Sequence, residues 1–313
     1  MIDSILDRAT SILERRFLKN AFLPVLVLLP ATAMPTLLQG RRIDRVVAVW
    51  NPQPFATKAF VVAGYFIFCW FVAAIVASQW RNIIRLYEGY PLARFRALDR
   101  VGRDWYGQRS AEAEGHSRWH DQDVRYPAQD QVLPTRLGNV MLAAERYSYD
   151  RYRADLIVQW PRLYQVLPRE TIQDVEDARA TLEFLLVISL WWGAFSILAP
   201  FWSIRLGGAP AITLVSFALG AVGAYLAYLS AIEAAREYGD HLRAVFDVYR
   251  LTLLRALHVP APNTAVEERA RWEDLFEFFG RRNLPTWKYD HGVAEDPTPS
   301  TDVRSLGDVE SSP

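Results

Sequence analysis

The sequence predicts an all-α integral membrane protein with four transmembrane helices and helical cytoplasmic extensions. Three observations carry that expectation. Four stretches contain no Asp, Glu, Lys or Arg: Asn20–Gln39, Ala59–Trp80, Phe184–Ile204 and Leu206–Ile232. Each is long enough to cross the ~30 Å hydrocarbon core, which takes about 20 apolar residues. Apolar residues recur every three or four positions beyond those runs, the period of a helix face.

The first run follows residues 1–19, where Ile2, Ile5, Leu6, Ala9, Ile12, Leu13 and Phe17 form an amphipathic helix suited to a membrane surface or to docking. Asp3, Asp7 and Glu14 there argue against a cleaved secretory signal, whose leading segment is simply basic. Pro24, Pro30 and Pro35 each remove a backbone donor and bend the run. Residues 20–80 thus make a first hairpin, its loop turning at Asn51-Pro52-Gln53-Pro54.

Residues 81–180 read as a cytoplasmic helical region. Trp80, Ile83, Ile84, Tyr87, Phe95, Leu98 and Trp105 predict a continuation of the second span, kinked at Pro91 and packed in a stalk. Pro168 suits the first turn of the next helix, with Ile172, Val175 and Leu182 on one face. The second hairpin, 181–232, turns at Gly207-Gly208 ahead of Pro210. Its last span continues into 233–289 on the stripe Ala235, Tyr238, Leu242, Val245, Tyr249, Leu253 and Leu257, which Pro260 stops and Gly239 weakens. Thr264-x-x-Glu267 is a capping box opening a helix with Val266, Ala270, Trp272, Phe276 and Phe279 inward. Residues 290–313 have the composition of a disordered tail.

Arg and Lys flanking the spans number fifteen on the terminal and central side and five on the other. The positive-inside rule then places both termini and the central region in the cytoplasm of a multi-pass cell-membrane protein. Zero net charge gives no footprint of nucleic-acid binding. The lone Cys69 excludes an intrachain disulfide. Thirty-two of the 35 basic residues are Arg, which fits a GC-rich bacterial genome. Acidic groups are missing from mid-membrane, where proton- and sodium-coupled transporters keep them.

Candidate sites are few. In LPTRLGN (133–139), Thr135 caps a helix, Gly138 permits close backbone approach, and Arg136 with Asn139 completes a weak anion or ligand cradle. One Arg and one Gly fall short of a phosphate loop, so a helix start is the favoured reading. His116 and His120, four apart, are weak metal candidates without a third ligand, and no cofactor is expected. The small residues Gly220, Gly223, Ala224, Ala227 and Ala231 form a helix-packing face for a neighbour in this chain or another.

PTRLGN followed by ERYSYDRY, WPRL and FDVYRLTLLRAL resembles an uncharacterised family of bacterial membrane proteins, covering most of the chain after residue 80. That resemblance implies no activity. The layout of two spans, a large cytoplasmic segment and two spans is similar in topology to bestrophin-type anion channels. The expected partners are the lipid bilayer and either further copies of the chain or another membrane protein. The expected role is an assembly or partner-binding membrane component, with an oligomeric ion channel as the alternative.

Overall fold

The computed structural model describes residues 17–37, 42–115, 131–284, 287, 289 and 290, and these are helical with short connections. The first apolar run opens with a π-helical turn, Leu18–Phe22, that leads straight into α1, Leu23–Ala31. Pro24 has no N–H to give the carbonyl of Asn20. The wider ladder, with the Leu23 amide bonded to Leu18, carries the chain past it. The helix breaks at Thr32–Ala33, where the Thr32 hydroxyl donates to the Leu29 carbonyl at 2.7 Å, and resumes as α2, Met34–Leu37.

The loop of the first hairpin holds a helix, α3, Arg42–Trp50, ahead of the Asn51–Pro54 turn. Pro54 then precedes α4, Phe55–Ser78, which takes four more residues than its charge-free run at the start. The second hairpin consists of α9, Arg169–Arg205, and α10, Pro210–Ala256. At 1.5 Å per residue their 37 and 47 residues extend about 56 and 70 Å. Gly207, at φ 65°, turns one into the other. Gly239 stays helical because it is packed: a β-carbon there would lie 2.9 Å from that of Ala144. Helices α4, α9 and α10 are the three long and apolar enough to cross a membrane among the described residues, while Leu18–Ala31 is a shorter apolar helix.

Between the hairpins lie α5, Trp80–Glu88, a 3-10 turn, Tyr90–Arg94, and α6, Arg96–Gly115. They are followed by α7, Arg136–Tyr152, and α8, Leu156–Val166; α11, Ala265–Arg281, comes last. The continuation expected after the second span, kinked at Pro91, is interrupted earlier in the chain. The chain bends at Gln79, and Gly89, at φ 91°, ends α5 two residues before Pro91. Phe95 and Trp105 are exposed instead of packed.

The core forms three linked clusters. One gathers Leu163, Val175, Phe246, Leu253, Trp272 and Leu275 where α8, α9, α10 and α11 meet beyond the apolar runs. A middle cluster joins Ile83, Leu137, Met141, Leu182, Leu186 and Ile232. The third places Ala21, Val25, Cys69, Ala73, Val187 and Trp191 between the spans. Half of the capping box closes as expected, with Thr264 Oγ1 accepting from the Glu267 amide, while Glu267 accepts from the amide of Asn263, one residue before the cap. On α11 the inward residues are Trp272 and Leu275, whereas Val266 points to solvent.

Candidate functional site

The densest polar construction lies where α5, α6 and α7 meet the α9–α10 pair, and PTRLGN is its centre. Thr135 caps α7 by accepting from the Gly138 amide at 3.1 Å. The fully buried Asn139 amide donates to the carbonyls of Leu133 and Thr135 at 2.9 and 2.8 Å and accepts from the Leu133 amide at 2.7 Å. The remaining helix-start amide of Leu137 reaches the Tyr228 hydroxyl at 3.4 Å. These donors, which an anion would need, are already engaged by the protein's own oxygens. Thr135, Gly138 and Asn139 come together as a folded clasp, with Arg136 at its edge half-buried.

Glycines let three elements close on this clasp. A β-carbon at Gly138 would lie 2.6 Å from the Glu88 carbonyl oxygen. At Gly89 and Gly102 it would lie 2.7 and 2.8 Å from Pro134. Arg103 donates to the Val132 carbonyl at 3.0 Å while holding Asp99 on α6. Below, the Tyr87 hydroxyl donates to Ser189 Oγ at 2.9 Å, Ser189 donates to the Ala224 carbonyl, and the Tyr87 and Tyr228 rings stack at 5.9 Å.

Two acids beside the clasp were not singled out by sequence reasoning. Burial pushes the Glu88 carboxyl up to about 7, with Glu145 adding repulsion and Arg85 opposing it. Burial likewise raises Glu145, helped by Asp155. The signal for Glu145 was present: it stands one turn from Met141 on the apolar face of its helix. Tyr87 stood on the predicted packed stripe, whereas Tyr228 carried no such signal.

A second network joins α7 to α10. The hydroxyls of Tyr147 and Tyr152 both donate to Asp247, each at 2.8 Å. Arg250 bonds Glu268 of α11 at 2.7 Å and lies over the Tyr152 ring. This arrangement fastens three helices.

Comparison with protein-family models, with curated proteins and with solved structures returned no match.

The small-residue face is filled from within the chain. β-Carbons at Gly220 and Gly223 would lie 2.6 Å from the backbone of Ser196 and from the Trp192 ring. Ala227 and Ala231 are buried, and Ala224 gives its carbonyl to Ser189. His116 and His120 lie outside the described residues. Among the described residues no three His, Cys, Asp or Glu side chains are grouped to hold a metal ion. A cavity of about 600 Å³ opens between the π-helical turn, α4 and α9, walled by Phe17, Ala21, Trp70 and Val187 with Arg179 and Glu183 at its edge.

Proposed function

We propose that the chain is a four-span membrane protein, both ends and the central region in the cytoplasm, that works as an assembly component. In this reading the broken Leu18–Leu37 segment is the fourth span, and the fifteen-to-five basic asymmetry orients the protein. The partner is a second copy or another membrane protein, received on α4.

One observation carries the reading. Phe60, Gly64 and Phe68 stand one turn apart on α4, with the rings 81% and 53% exposed, and a β-carbon at Gly64 would meet nothing within 4 Å. Every residue from Phe55 to Gly64 is exposed except Lys58, which is half-buried. A glycine notch between two aromatic knobs is a shape that a neighbouring helix fills, because helices in lipid associate through close backbone approach. The glycines of α10 are already filled, whereas this one is open.

Native mass spectrometry from nanodiscs, with cross-linking in cells, tests the proposal. Association that falls when Gly64→Leu closes the notch supports it; a lone monomer with no captured neighbour sinks it.

An oligomeric channel is the second reading, favoured by the helix break at Thr32–Ala33 between Pro30 and Pro35. Bends of this kind can line a path once several copies surround it. Reconstituted protein that conducts no ion in any of several salts would remove this alternative.

A further inference from the structure

We infer that α6 lies in the membrane–water interface and binds the anionic lipid headgroups of the leaflet into which α4 ends. The inference rests on the membrane reading but not on the assembly role.

Depth comes first. Ser189 is the sixth residue of the charge-free run 184–204, and Tyr228 lies four residues before the end of 206–232. At 1.5 Å per residue these positions are roughly 6–8 Å inside the ends of the apolar runs. Tyr87 of α5 bonds Ser189, and Leu137 of α7 bonds Tyr228. The loop end of α5 and the start of α7 thus reach down to the hydrocarbon edge. Three residues before Leu137, Pro134 packs directly on Gly102 in α6. Arg103 fixes the same register through the Val132 carbonyl. The middle of α6 is therefore anchored at the level of the headgroups, not out along the helical stalk.

The surface of α6 matches that depth. Val101 and Trp105, 68% and 45% exposed, lie one turn apart on one side, and the exposed Phe95 sits just before the helix. Arg96 and Arg100 lie one turn apart on the roughly opposite side, at 100° per residue. An apolar face opposed by an arginine face is the pattern of a helix lying in an interface. Between residue 81 and the end of α6 at 115 there are seven Arg against Glu88, Asp99, Asp104, Glu112 and Glu114. Asp99 is ion-paired with Arg103, and burial pushes Glu88 toward its neutral form. The surplus is positive, and its complement is a leaflet carrying acidic phospholipid.

The test uses the full chain in nanodiscs. Val101→Cys and Trp105→Cys take a thiol-reactive environment-sensitive dye, and the native chain serves as the unlabelled control because Cys69 is fully buried. Dyes at both positions should be quenched by nitroxide placed high on the lipid chains, and protected from iodide relative to a dye at Val266→Cys on α11. Arg96→Gln and Arg100→Gln should each weaken insertion about fivefold in discs containing phosphatidylglycerol and leave it unchanged in phosphatidylcholine. Iodide access equal to that at Val266→Cys overturns the proposal. Protection from iodide without nitroxide quenching also overturns it, since protein rather than lipid would then cover α6. Equal insertion in both lipids overturns the electrostatic half. A dye at Leu219→Cys, exposed on α10 inside the charge-free run 206–232, separates the causes: if it too escapes lipid quenching, the membrane reading itself has failed.

Discussion

The α9–α10 hairpin and α4 are all long and apolar enough to cross a membrane yet opposite in how they use their surfaces. Along α10 small residues face α9, so backbones approach until a β-carbon at Gly220 would strike the Ser196 backbone. Hydroxyls in that seam are satisfied in place: Ser203 pairs with Thr213 at 2.7 Å, and Ser216 returns to the Ile212 carbonyl. Helix α4 instead presents Phe60, Ile67 and Phe71 outward and touches the chain along Cys69, Ala73, the Trp70 ring against Phe17 and the Tyr65–Leu26 hydrogen bond. Length and hydropathy make a span; side-chain size decides whether it is gripped by its own chain or left to the surroundings.

The comparison breaks most severely at Gly220. Gly220→Leu forces a side chain into backbone that cannot yield, so about 3 kcal/mol should be lost, read as a large fall in detergent melting temperature. Gly64→Leu, made on open space, should leave the melting temperature unchanged and serves as its control.

Next is the clasp. Asn139→Ala removes three hydrogen bonds at a position with no solvent access and should cost about 2 kcal/mol. Thr135→Ala removes one capping bond and should cost about 1 kcal/mol. Equal losses in the two variants would deny Asn139 its central place.

A smaller effect separates the charged end from the spans by pH. Glu88 is raised from 4.5 to about 7 in the folded chain, so the unfolded chain gives up its proton first as pH rises. Stability should therefore fall between about pH 4.5 and 7 and stay low above it. Glu88→Gln should flatten that decline, gaining about 1 kcal/mol at pH 8 and little at pH 4 after allowance for partial exposure. Parallel pH profiles for the two proteins would remove Glu88 from the junction's energetics.

Least costly of all is Phe60→Ala on the outward face of α4. The folded chain should change by less than about 0.5 kcal/mol, while association in nanodiscs falls. A large loss of stability in the isolated chain would mean that α4 is gripped from within after all.

Much of the clasp was readable beforehand. Thr135 before an apolar period announced a cap, and Gly138 announced close approach; both follow from local chemistry. Asn139 was legible as part of a weak ligand cradle at the helix start, but its hydrogen-bond partners became visible only once the chain before α7 had folded back over it. Glu88 was hidden because nothing local marks the end of α5 as the place where α7 comes to rest. His116 and His120 fall outside the described residues.

Local rules thus set the helical character, the long second hairpin, its Gly207 turn and the caps at Thr135 and Thr264. Each depends on residues within a few positions of one another. The tertiary structure decided the rest: which small face is filled and which stays open, where the chain after α4 turns aside, and which carboxyls lose water. Those outcomes depend on what arrives from a hundred residues away. Periodicity along one helix contains no record of it.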